Sequence, residues 1–240
     1  MSATLASLGV GGAGGISDPT QLAGCVLWLK ADAGLWQDGG ASTPAASNGD
    51  PVGRWDDQSG NGNHVVQATN ADRPTLATAV LNGLPVVRFD GTSSSLAVAF
   101  TLDQPHTRFA VLVNRSPSDG THILIDGGSG NPSAMVFQTG DVASLNAGTE
   151  LAGPTVLNSA PHIWRGSFNG ASSQISVDGG TASTGDAGSG SAGGITLGTD
   201  QTLAQFTDCD VAEVIEYVSA LSAGDVIRVL NYLNRRWAVY

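Results

Sequence analysis

Between residues 22 and 218 the apolar side chains fall in short β-like runs, and turn-forming pairs stand between the runs. Short apolar runs bounded by turn signals are the mark of strands. The pattern predicts strands near Cys25–Lys30, Pro85–Phe89, Leu96–Phe100, Arg108–Asn114, Thr121–Ile125, Ala134–Gln138, His162–Phe168, Gln174–Val177, Ile195–Gly198 and Asp210–Val218. Asp38-Gly39, Asn48-Gly49, Asn82-Gly83, Asp90-Gly91, Asp119-Gly120, Asn169-Gly170 and Asp178-Gly179 supply the turns, because Asn and Asp tolerate positive φ and glycine has no Cβ to clash there. The low-complexity stretch 181–194 reads as a loop. Many short strands with frequent turns predict an all-β sandwich or jelly roll.

One helix interrupts this pattern, over residues 222–237. Ser222 is placed to cap it and Asp225 to complete a capping box. Val226, Val229, Leu230, Leu233 and Trp237 recur at helical spacing, while Arg228, Arg235 and Arg236 fall elsewhere and the last two suit the C-terminal dipole. Residues 1–18, rich in Gly and Ala, form no periodic pattern and read as an arm. Ordering such an arm costs conformational entropy that contacts must offset, either on its own domain or on a neighbouring subunit. The organisation expected is that arm followed by one domain, 19–240, which includes the helix.

Composition narrows the partners. Charged residues are 13% of the chain against a usual ~25%. Lys30 is the single lysine, and 10 basic residues against 21 acidic ones leave a net charge of −11. Phosphate backbones and anionic membranes are bound through Lys and Arg, so neither is an expected partner. No apolar run reaches the ~18–20 residues that span a bilayer. Residues 1–16 carry no basic side chain and are broken by glycine, which is poor for a secretory leader. The expectation is a chain made in a cytoplasm, with its two cysteines as reduced thiols rather than a secreted disulfide framework.

Three segments in order carry a family resemblance: Cys25-Val-Leu-Trp-Leu-Lys-Ala-Asp-Ala-Gly34; Arg54-Trp-Asp-Asp-Gln-Ser-Gly-Asn-Gly-Asn-His64 with Ala71–Thr75 and Asn82–Gly91; and Asp210-Val-Ala-Glu-Val-Ile-Glu-Tyr217 followed by Leu221-Ser222 and the helix ending Arg236-Trp237. Together, over residues 22–237, they resemble the concanavalin A-like, laminin-G-like jelly roll, in the branch common in phage virion and bacterial surface proteins. The resemblance implies that jelly roll as the fold. It also implies one of several functions the fold hosts: lectins, adhesion modules, capsid and tail proteins, or glycosidases. Calcium is a frequent ligand of such domains, and their first and last strands tend to be neighbours, so Cys25 and Cys209 could be bonded or remain two buried thiols.

The candidate chemistry is sparse. A glycosidase needs two carboxylates flanking its bond. The three glutamates are Glu150, Glu213 and Glu216, and the last two, three apart on a strand, point to opposite faces. Asp208 and Asp210 share a face but sit at a strand start. No Gly-x-Ser-x-Gly elbow is present, and His64, His106, His122 and His162 lack metal-ligand spacing. Asp57-x-Ser59-x-Asn61-Gly62 imitates the opening of an EF-hand, but Ala68 stands where its bidentate Glu belongs. A Ca²⁺ site would have to be built across loops from Asp56, Asp57, Asp208 and Asp210. Trp28, Trp55, Trp164 and Trp237 lie in apolar strands or on the helix and read as core. Trp36, in a loop beside Asp38, is the candidate platform for a sugar ring, with Asp38 for its hydroxyls.

The expectation drawn from all of this is a non-catalytic phage virion protein without enzyme activity. It would be a capsid-decoration or tail component, homo-oligomeric, joined to other virion proteins through its arm. A glycan-binding adhesin of a bacterial surface is the alternative, and a glucanase the third.

Overall fold

The computed structural model describes residues 14–116, 120–128, 130–156 and 159–240; residues 1–13 of the expected arm and Asp119 of one expected turn lie outside the described residues. The first half of the chain contains β1 (Cys25–Lys30), β2 (Leu35–Trp36), β3 (Arg54–Trp55), β4 (Val65–Val66), β5 (Thr75–Leu81), β6 (Leu84–Asp90), β7 (Leu96–Ala99) and β8 (His106–Asn114). The second half contains β9 (His122–Asp126), β10 (Ala134–Gln138), β11 (Val142–Asn146), β12 (Glu150–Thr155), β13 (Pro161–Phe168), β14 (Ser173–Val177), β15 (Ser183–Gly185), β16 (Gly194–Leu197) and β17 (Asp208–Tyr217), then the helix α1 (Ala223–Trp237).

These strands build two antiparallel sheets. The first runs β15-β14-β13-β8-β17-β6-β5, with β1 also on β17; the second runs β12-β11-β10-β9-β16-β7-β4-β3-β2. β17 is long enough to hold two partners on one edge: Asp208–Val211 pair with β6 and Glu213–Tyr217 with β1. Its register on β8 shifts between Val211 and Glu213, so a bulge marks the changeover. The inner faces of the two sheets enclose one apolar core that includes Trp55, Phe89, Phe137 and Trp164. A second core lies on the outer face of the first sheet, where α1 sets Val229, Leu233 and Trp237 against Trp28, Phe109 and Ile215. The result is a β-sandwich whose first sheet is covered by the C-terminal helix; among the described residues no helix covers the outer face of the second sheet, although Asp126, Val136 and Thr196 on it are buried.

The helix begins where its sequence predicts, with the Ser222 hydroxyl accepting the Asp225 N–H at 3.2 Å, and Ala238 closes it at φ 50°. The described end of the arm packs on this same helix. Ile16 is buried beneath it, and Arg235 and Arg228 donate to the carbonyls of Ile16 (2.5 Å) and Gly14 (3.1 Å). For residues 14–18 the contacts offsetting the entropy of order are therefore within the chain.

Seven strands escape the hydrophobic pattern. β2, β3 and β4 have two residues each, too few to show alternation, and β15 has three in a glycine-rich stretch. β5 is interrupted by a register shift, with Ala79 at φ 55°. β11 is rich in small and polar residues, and β12 contains Gly153 and Pro154. All seven are held by pairing with neighbours, which a one-dimensional pattern does not contain.

Candidate functional site

Two of the glutamates are structural. Glu213, on the helix side of β17, accepts the indole N–H of Trp28 (2.6 Å), the Tyr232 hydroxyl (2.8 Å) and the indole N–H of Trp237 (2.6 Å). Burial pushes its carboxyl above the usual range, and these three donors oppose that rise. Glu216 points to the opposite side, between the sheets, where it pairs with the equally buried Arg108 and lies 3.4 Å from His106. The opposite facing expected from their spacing is present, and neither carboxylate reaches solvent.

The candidate ligand and calcium residues do not form one site. Asp38 spends both oxygens on its own loop, accepting from the Gly40, Ser42 and Thr43 N–H groups and the Ser42 hydroxyl. Bonds from Ser42, then Thr43 and Gly40, hold its carboxyl below the usual range. Trp36 is half-buried, and its indole N–H is held by Asp56 at 2.7 Å. Asp56 in turn receives Arg54 at 2.6 Å. Asp57 is filled by the N–H groups of Trp28, Ser59 and Asn63 and the Ser59 hydroxyl. Asp210 takes Arg88 in a bidentate pair (2.7 and 2.8 Å), and Arg115 sits 3.5 Å from Asp208. Guanidinium groups occupy the places a cation would need, and among the described residues no group of three His, Cys, Asp or Glu side chains is set to hold a metal ion. The residues proposed for Ca²⁺ do not fit it.

The cysteines are likewise separate thiols. First and last strands are neighbours as expected, but antiparallel: Cys25 faces Tyr217, while Cys209 lies at the other end of β17. Eight residues of strand are about 25 Å, against the ~6 Å between Cα atoms that a disulfide requires. Burial, with Asp57 nearby, pushes the Cys25 thiol up to about 12.

What the sequence did not single out is a groove on the outer face of the second sheet. Two cavities of about 420 and 270 Å³ lie side by side there, and Gln201 lines both. Ala97 and Thr196 line the first, with the exposed Leu203; Ile123, Ala134 and Val136 line the second, with Gln138, Asn146 and Gln205 around them. Two buried aspartates shape the rim. Asp126 accepts the N–H groups of Gly127 (2.7 Å), Ser133 (2.8 Å) and Gln201 (3.0 Å), and Gln201 accepts the Gly130 N–H at 2.7 Å. Asp200 accepts from the Thr202 hydroxyl and from the Ala204 and Gln205 N–H groups at 2.7 and 2.9 Å. Burial raises its carboxyl, but the Thr202 hydroxyl and the N–H groups of Ala204, Gln205 and Thr202 outweigh that and hold it below the usual range.

The groove rests on the buried ion pair beneath it. The Ser133 carbonyl accepts Arg108 at 2.6 Å, its hydroxyl lies 3.2 Å from His106, and its N–H is one of the three that hold Asp126. Asp126 ends β9, and Gln201 lies in a turn 75 residues further along the chain. No signal in the sequence joins them.

No family model matches the chain, and no curated protein matches it. Solved structures do. A Trypanosoma rangeli sialidase shares the fold at a TM-score of 0.61 and 13% identity, over 90% of this chain and 33% of the sialidase. An arabinofuranosidase complexed with arabinofuranosyl-α-1,2-xylobiose matches at 0.59 and 18%, over 76% of this chain and 50% of that one. A GH54 α-L-arabinofuranosidase soaked with 4-nitrophenyl α-L-arabinofuranoside matches at 0.58 and 14%, with the same coverage. The chain thus spans a third to a half of these proteins. At such identities the likeness defines an all-β sandwich of the kind found in glycoside-hydrolase structures. It corrects the expectation of a non-catalytic phage virion component without enzyme activity: the folds shared here are those of carbohydrate-processing enzymes, and nothing in them points to a capsid or a tail.

Proposed function

We propose that this chain is a carbohydrate-active β-sandwich that takes a neutral glycan into the groove divided by Gln201 on the outer face of the second sheet. The observation that carries the reading is the lining of the two cavities: an aliphatic floor of Ala97, Ile123 and Val136 ringed by amides and hydroxyls. Sugar rings present the same pairing of apolar C–H faces and polar edges. Among the described residues, Asn146 Nδ2 and the Gln205 side-chain amide have no protein partner and are available to hydroxyls. Two aspartates at the rim and a net charge of −11 oppose sialylated or uronate sugars. Asp126 and Asp200 are the two carboxylates that line the groove, both buried and bonded to backbone N–H groups.

The test is a glycan array followed by a panel of neutral 4-nitrophenyl glycosides. Binding of neutral glycans that Asn146→Ala weakens supports the reading. Turnover lost in Asp126→Asn and Asp200→Asn would add hydrolysis to it. Neither binding nor turnover with any neutral glycan would overturn it.

A further inference from the structure

The groove is one end of a longer track. On the second sheet Trp36 faces Arg54, Arg54 faces Val66, Val66 faces Ala97, Ala97 faces Thr196 and Thr196 faces Asp126. Their chain neighbours Leu35, Trp55, Val65, Leu96, Leu197 and Ile125 all belong to the inter-sheet core. Strand alternation therefore puts the six on the opposite face, where Val66 is exposed and Thr196 and Asp126 are buried at the cavity end. Five steps between strands at ~4.8 Å make a row of about 24 Å.

The ends and middle of this row have matching chemistry. At one end the half-buried Trp36 indole is oriented by its N–H bond to Asp56, itself held by Arg54, so the ring's polar atom is already bonded. In the middle two apolar side chains are exposed, Val66 at 42% and Leu203, which lines the same cavity as Ala97, at 53%. At the other end lie the amides around Asp126. A monosaccharide in the groove would leave the Trp36 end unused.

We propose that the ligand is an extended neutral oligosaccharide, several rings long, lying across the strands with one end stacked on Trp36 and the other in the cavity at Asp126. The inference rests on the carbohydrate reading above and adds the length and direction of the ligand to it.

Calorimetric titration of the full chain with xylo-, arabino-, cello- and manno-oligosaccharides, each from disaccharide to hexasaccharide, tests it. For the ladder that binds, affinity is expected to rise with length. Trp36→Ala should weaken the hexasaccharide about tenfold and leave the disaccharide unchanged, whereas Asn146→Ala should weaken both. Trp36→Phe, which keeps a stacking face, should retain most of the hexasaccharide affinity and shows that the loss in Trp36→Ala is not misfolding. A hexasaccharide that binds no tighter than the disaccharide, or that is indifferent to Trp36→Ala, overturns the track while leaving the groove. Failure of every ladder to bind, in a chain that also binds nothing on the array, removes the groove and the track together.

Discussion

Glu213 accepts the indole N–H of Trp237 at 2.6 Å, and this bond ties the last turn of α1 to the bulge of β17. The same carboxylate holds Trp28 on β1, so the first strand, the last strand and the C-terminal helix meet at one buried group. The aromatic rings around it supply apolar area, and the carboxylate supplies the acceptor that their N–H and O–H groups need once water is excluded.

Removing that acceptor should be costly. Glu213→Ala leaves two indole N–H groups and the Tyr232 hydroxyl buried without a partner, and the expected loss is about 3–5 kcal/mol in urea denaturation. Glu213→Gln keeps one acceptor oxygen and should lose less. Equal losses in the two variants would mean that packing, not hydrogen bonding, is what Glu213 provides.

The Arg108–Glu216 pair under the groove is fully buried. Truncating either partner alone strands the other charge, with an expected cost of about 3–5 kcal/mol, whereas replacing both by apolar residues of similar volume should recover most of it. Denaturation of Arg108→Met, Glu216→Leu and the double variant measures this. Glycan affinity in the double variant reports separately whether Ser133 still positions Asp126.

Asp200 makes a pH prediction. Its folded carboxyl lies below the ordinary 3.8, so the stabilisation it provides is complete above that value and fades as pH falls through the lower folded value. The difference in Tm between the native chain and Asp200→Asn should be constant from neutral pH down to about 5 and shrink below about 4. A gap that does not change with pH would show that the loop is held by something other than the ionised carboxylate.

Both cysteines should titrate as thiols. Denatured chain is expected to release two equivalents with a disulfide-exchange reagent, and native chain to react slowly at pH 8, because Cys209 is buried and the Cys25 thiol is held up near 12. Zero thiols after denaturation without reductant would contradict the register of β1 on β17.

Some of this architecture is written in local chemistry. β1 and β10 have the bounds their short apolar runs predict, and Ser222 with Asp225 sets the start of α1. The four tryptophans read as core are buried, and the opposite facing of Glu213 and Glu216 follows from strand parity alone. Each of these depends on neighbours within a few residues, which is the range over which periodicity and capping act. Other features have no local cause. The two-residue strands exist only because partners pair with them, and the antiparallel sense of β1 on β17 decides that Cys25 and Cys209 stay apart. The groove joins Asp126 to Gln201, and the row on the outer face joins Trp36 to Asp126, through strand registers set by closing loops of many residues. A sequence records which side chains alternate; only the folded sheet decides which of them face one another.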